Sequence, residues 1–407
     1  MRLLPFLTLL TIPAAGIAQR TYVVDVQNRP GTQFTSLDAA FAAVQHGDIV
    51  LVRTGPNGSP VPAPPTPLTK GISLMGYPHP YSSNGEFGSE AGPIAGTLRV
   101  RGIPSGQRVH IKSITGRALP GNPGTGNLVF ESCAGQVLID AVSIGAEFHD
   151  CADVTVARQS FVYNVKVTRS RLRLSHSYVR ALHPSPGMIA VNSEITLGCN
   201  STIDGADGYI DQNTCQILGY PVEGVRSSNS TFILSKYSLI YGGGIYYPFP
   251  HPCNVIIGAP ALVATTPNGG AIVRDSEARL GPTQGSFQIY TRAIPGILGY
   301  VGSPGEPENA LMVLTQSYPG ARYWLLASLP GPMTSLGWGG MGATWLDPGT
   351  LVFLGTGTLD LNGQHYLRGG FPPLPNAVPI LIQAFVAGPS GFETSVPLMF
   401  VYQHGLR

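Results

Sequence analysis

The residues best suited to chemistry cluster between positions 150 and 215. No acidic residue lies between Asp153 and Glu194, while Arg158, Lys166, Arg169, Arg171, Arg173 and Arg180 supply six cations among His176, His183, Tyr163 and Tyr178. Such a row suits the carboxylates or sulfates of an acidic polysaccharide, because each Arg offers paired N–H donors and each Tyr a face for a sugar ring. Read as structure alone, Arg171 falls between Asp153 and Glu194 in neighbouring segments, a cross-strand charge ladder. A second centre is Asp204, Asp207 and Asp211 in Ile203-Asp-Gly-Ala-Asp-Gly-Tyr-Ile-Asp211. Paired carboxylates there would serve as general acid and base on a glycosidic bond, whereas the two Asp-Gly steps would also serve simply to turn the chain. His176 or Arg158 would be the base or charge neutraliser of a lyase.

These groups sit in a repeat. A small turn residue precedes an apolar-x-apolar pair at Cys133 (Val137, Ile139), Cys151 (Val154, Val156), Ser170 (Leu172, Leu174) and Ser193 (Ile195, Leu197), at spacings of 18, 19 and 23 residues. Similar turns follow at Cys215, Ser230, Cys253 and Ser276. The period is too short for a helical hairpin and fits one coil of a β-solenoid, each coil burying its apolar face against its neighbours. Strand alternation then turns Leu172 and Leu174 inward and Arg171 and Arg173 toward solvent, with Arg158, His176 and Lys236 in one outward column.

With 407 residues, 52 Gly, 37 Pro and 11% charged residues, the chain is turn-rich and β-rich, and its length suggests two or three domains. A formal charge of +2 provides no global field toward nucleic acid. Residues 1–18 read as a signal peptide: Arg2, an apolar stretch from Leu3 to Ile12, then Pro13 and a small-residue tail with Gly16 and Ala18 before a cut ahead of Gln19. The expectation is a secreted or cell-envelope protein with no membrane insertion once the signal is removed. Export opens the five cysteines to oxidation. Cys133 and Cys151, at the same turn of consecutive coils, are the disulfide candidate, with free thiols packed as small apolar residues the alternative. Cys215 and Cys253 are expected to lie too far apart to bond. No close Cys or His pair has ligand spacing for zinc, and Asp140, Asp150 and Asp153 fall in different columns, so neither a metal nor a cofactor is expected.

Thr35 or Ser36 is placed to cap a helix from Leu37 to Gln45, which would cover the open end of the solenoid. The run Phe34-Thr-Ser-Leu-Asp-Ala-Ala-Phe41, then His46-Gly-Asp-Ile-Val-Leu-Val-Arg-Thr-Gly55 and Lys70-Gly-Ile-Ser-Leu-Met-Gly76, resembles the opening of right-handed parallel β-helix proteins of the pectin lyase type. The resemblance covers residues 20 to 290. It implies a right-handed parallel β-helix over residues 19–292, and says little of activity, because that fold hosts lyases, hydrolases, esterases and non-catalytic binders. The Tyr-x-Glu element of pectin methylesterases and the Asn-Thr-Asp and Gly-His-Gly motifs of polygalacturonases are missing.

Repeat turns stop after Ser276, and Ser303-Pro-Gly-Glu-Pro-Glu-Asn309 marks a boundary. Short strands separated by Gly/Pro turns follow, so residues 293–407 read as an antiparallel β-sandwich, similar to small carboxyl-terminal modules of secreted bacterial proteins. The function expected is non-catalytic binding of a polysaccharide or cell-surface glycan through Arg158, Arg171, Arg173, His176 and Lys236. The alternatives are a lyase or hydrolase of acidic polysaccharide, with His176, Asp204 or Asp207 at its centre, and a structural envelope protein.

Overall fold

The computed structural model describes residues 20–402 apart from 56–58, 78–91, 117–125, 158–159, 212, 248–254, 293, 302–309, 329, 335–343, 347–349, 371–377, 389–390 and 396–397. The signal segment, Arg158 and the turn expected at Cys253 therefore lie outside the described residues.

The chain is all-β, a parallel β-helix followed by small antiparallel sheets. One wall is an 11-stranded parallel sheet running from Thr21–Val24 to Gln288–Thr291. Its register sets Val137 on Val154, Val154 on Leu172, Leu172 on Ile195, Ile195 on Phe232 and Phe232 on Ile272. All six are at most 1% exposed. Each such side chain contributes about 1.5–3 kcal/mol by leaving water, so the stacked inner column holds the wall together rung by rung.

The second wall is a 15-stranded sheet that forks. The long strand Phe161–Thr168 pairs through its first half with Tyr178–Arg180 and through its second half with Met188–Val191. A first branch continues through Thr202–Asp204, Leu239–Tyr241 and Arg279–Leu280; a second continues through Val225–Ser228, Leu262–Ala264 and Thr283–Gln284. Beyond the fork each coil thus has three strands, where the sequence phrase showed two. The third strand escapes notice because excursions of irregular length, 181–187, 205–224 and 242–261, separate the branches. Cys215 belongs to such an excursion, beside the hairpin Tyr209–Ile210 with Ile217–Gly219, and not to the rung turns. Ser230 stacks directly on Ser193, whose backbone N–H donates to the Ser230 hydroxyl. Ser276 likewise falls at a different corner, just after the strand Gly270–Arg274.

Ser36 caps the helix Leu37–Ala43 by accepting from the Ala39 N–H at 3.2 Å, and Leu37, Ala40 and Phe41 join the solenoid core. The helix stops at Ala43, because Val44 is already extended.

After Gln288–Thr291 the sheets become antiparallel. A three-stranded sheet (Gly296–Val301, Ala310–Gln316, Gln364–Gly370) faces a five-stranded one built around Arg322–Ser328 and Val378–Gly388. Both faces of the larger sheet are used. Tyr323, Leu325 and Ala327, with Ile380, Ile382, Ala384 and Val386, fill the module's own core. The alternate residues Trp324, Leu326, Leu381 and Phe385 join Leu346 in a cluster with Leu138 and Ala157 of the parallel wall. The module is docked on the outer face of the solenoid.

Candidate functional site

Docking changes the meaning of outward positions on the 11-stranded wall. His110, Leu138, Thr155, Arg173 and Thr196 follow one another along one outer column, and all are at most 6% exposed. Arg173, expected in solvent, is 3% exposed and ion-paired with Asp153. Alternation does point Arg173 away from the solenoid core. What lies outside that wall is protein.

The other cations are largely engaged. Arg169 makes two bonds to Asp150 at 2.6 and 2.8 Å, and Lys166 reaches Glu147 at 3.2 Å. Lys236, its side chain 10% exposed, pairs with Glu277 at 2.6 Å and lies 5.4 Å from the centre of the Tyr237 ring. It does not share the His176 column. The register Tyr178 to Thr202 to Leu239 sets His176 level with Asn200 and Tyr237, and all three have positive φ, at 50, 55 and 59°. Burial holds the His176 imidazole below its usual pKa, and its Nε2 is buried with no hydrogen-bond partner. Arg171 alone of the five proposed binding residues is both described and exposed, standing opposite Glu194. Among the described members of the expected row, Arg173 and Lys236 are therefore buried and His176 half-buried, which leaves Arg171 facing solvent.

It assembles a different group on the first branch of the forked sheet. Phe161 and Tyr178, 44% and 43% exposed, stack across adjacent strands with ring centres 5.2 Å apart and planes 11° apart. Two residues further along the same strands, Tyr163, Arg180, Asp204 and Tyr241 follow one another in register. Arg180, Asp204 and Tyr241 are the last residues of their strands, so they stand where the excursions leave the solenoid. The excursions bring Tyr209 and Tyr220, 51% and 65% exposed, and are tied to one another: the His183 ring packs edge-on to Tyr209 at 5.7 Å and its Nε2 bonds the Tyr220 carbonyl at 3.1 Å. The Asp207 carboxylate accepts the Gly244 N–H at 2.8 Å, linking the next excursion.

Asp204 and Asp207 are thus brought together with Arg180, while Asp211 is a turn residue accepting from the Asn213 and Thr214 N–H groups at 2.8 and 3.4 Å. Half-buried Asp204 is pushed up to about 6, first by burial and then by the neighbouring Asp207 charge, against the pull of Arg180. The Tyr241 phenol is raised by burial and then by the Asp204 charge. The Asp-Gly reading is half right. Gly205 does not need a left-handed turn; it needs closeness, since a Cβ there would stand 2.1 Å from the Val222 carbonyl. Sequence reasoning placed Arg180 and Tyr178 in its cationic row but missed Phe161 and the stacking of the two rings, although Phe161 and Tyr178 at matching offsets of consecutive coils carried the signal.

Among the described residues no group of His, Cys, Asp and Glu is placed to hold a metal ion, and no helix is long and apolar enough to cross a membrane. Comparison with known protein families finds no match, and comparison with curated proteins finds none either.

Proposed function

We propose that the protein is an exported glycan-binding β-helix whose recognition face is the first branch of the forked sheet. The observation that carries this reading is the open aromatic stack of Phe161 and Tyr178 beside the Arg180–Asp204–Tyr241 column. Aromatic faces cover the C–H side of a sugar ring, while carboxylate and guanidinium groups take up its hydroxyls. One arginine against two carboxylates favours neutral or amino sugars over uronates, which reverses the preference drawn from the cation count.

Glycan-array binding followed by titration tests this. Changing Phe161 and Tyr178 together to Ala is expected to weaken binding by tenfold or more, about 1.4 kcal/mol, with Arg171→Ala close to wild type. Unchanged binding in the double variant, or a loss seen only in the Arg171 variant, overturns the assignment.

A second reading is favoured by the elevated pKa of Asp204 in the neighbourhood of Asp207: a hydrolase in which Asp204 protonates the leaving oxygen. Reducing ends would appear with wild type and vanish with Asp204→Asn while binding persists. Release of unsaturated, ultraviolet-absorbing uronates would point instead to a lyase, and no glycan affinity at all to a structural envelope role.

A further inference from the structure

Cys133 and Cys151 occupy one corner of consecutive rungs, remote from the aromatic face. Each follows a residue in the left-handed region, Ser132 with φ 53° and Asp150 with φ 55°, so the two turns have the same shape. The Ala152 N–H donates to the Cys133 carbonyl at 2.9 Å, locking one turn on the other. Both side chains are buried, at 0% and 1% exposure, and both thiols are free. The Cys151 sulfur reaches back toward the earlier rung, donating to the Phe130 and His149 carbonyls at 3.6 and 3.4 Å, while Cys133 donates to Glu131 at 3.6 Å. The two thiols also interact with each other. That contact lowers the Cys133 thiol and, with burial, raises the Cys151 thiol.

Further along the corner the same position is serine. There each hydroxyl accepts a backbone N–H from the preceding rung: Ser170 from Cys151 at 2.9 Å, Ser193 from Ser170 at 3.2 Å and Ser230 from Ser193 at 3.2 Å. Sulfur is a weak acceptor, so the hydrogen bonding of the turn does not call for cysteine on two adjacent rungs. Paired strands lie about 4.8 Å apart, inside the roughly 4.4–6.8 Å between Cα atoms that a disulfide spans.

We propose that Cys133 and Cys151 close into a disulfide that staples two rungs when the chain matures in an oxidising compartment. The co-reactant is a disulfide oxidant, a small molecule or a dithiol oxidase. During folding, before the corner closes over it, the Cys133 thiolate attacks one of the oxidant's sulfurs, forming a mixed disulfide and releasing the other sulfur as a thiol. The Cys151 thiol then loses its proton and attacks the Cys133 sulfur, releasing the second thiol. Two protons and two electrons leave the protein, and the oxidant's disulfide becomes two thiols. The chain supplies its own controls. Cys215 is disulfide-bonded, and Cys199 is buried beside the Ser235 hydroxyl at 4.0 Å rather than beside a second thiol.

The test is thiol counting on the full-length protein exported through an oxidising compartment, denatured and alkylated without reduction, then digested and mapped by mass spectrometry. The expected result is alkylation of Cys199 alone among Cys133, Cys151 and Cys199, with a linked Cys133–Cys151 peptide that separates on reduction. Alkylation of all three in the unreduced protein, or linkage of either residue to Cys199 or Cys215, overturns the proposal. Cys133→Ser is expected to render Cys151 alkylatable and to lower the thermal midpoint; the wild-type count stands as the deciding readout should that variant fail to accumulate.

Discussion

Two outer surfaces of the solenoid point the same kinds of side chains away from the same core, and only one of them meets solvent. On the 11-stranded wall the outward column from His110 to Thr196 is buried, and Leu138 and Ala157 pack with Leu346, Leu381 and Phe385 of the carboxyl-terminal module. On the first branch of the forked sheet the outward residues Phe161, Tyr178 and Tyr241 stay 43–44% exposed. Alternation along a strand decides inside from outside of one layer and is silent on whether a second layer follows. The contrast also separates two uses of charge: the covered wall neutralises Arg173 with Asp153, whereas the open branch keeps a carboxylate of raised pKa beside an arginine.

The comparison breaks most sharply at Arg173. Changing it to Ala leaves Asp153 partly buried without its partner, a loss of about 3–5 kcal/mol, whereas Arg171→Ala on the exposed edge is expected within about 0.5 kcal/mol. Chemical denaturation of both variants gives the answer, and similar small losses would mean that the wall is open. Phe385→Ala, which empties the contact between module and wall, should cost about 3 kcal/mol or more, and faster limited proteolysis of the module would accompany the loss in denaturant midpoint. On the open branch, Tyr178→Ala is expected to leave stability within about 1 kcal/mol while weakening glycan binding severalfold by titration calorimetry.

Asp204 gives a smaller, pH-dependent signal. Its folded pKa of about 6 lies above the ordinary value of 3.8, so the folded protein holds a proton that the unfolded chain has released. Its contribution is fully present below pH 3.8, and stability declines as pH rises through 6. Asp204→Asn should flatten that part of the profile in thermal melts between pH 4 and 7. Glu277→Gln, which loosens the Lys236 pair at an exposed carboxylate, is expected to cost no more than about 1 kcal/mol.

The sequence discloses the inner columns well. Val137, Val154, Leu172 and Ile195 stack as their spacing requires, because burying an apolar side chain on every second residue leaves a periodic trace. The serine and cysteine corner is equally visible, since the left-handed turn before it repeats at Ser132, Asp150, Arg169, Asn192 and Asn229. Later rungs are harder to see. Excursions of unequal length shift the count, so that Cys215 looks like a rung turn and is instead disulfide-bonded away from the column. The fate of Arg173 was legible nowhere near Arg173, since it depends on a module more than a hundred residues downstream. The pairing of Lys236 with Glu277 similarly rests on a turn one residue longer than that at His176, which sets Tyr237 and not Lys236 level with His176.

The excursions 181–187, 205–224 and 242–261 all depart from one corner, and the rungs above and below close in register whatever their length. That corner is accordingly the place where new sequence can be spliced with least disturbance to the scaffold. A foreign peptide inserted between Ser185 and Pro186, past the His183 contacts to Tyr209 and Tyr220, would leave the strand pairs on either side in register, making the molecule a ready frame for grafted recognition loops.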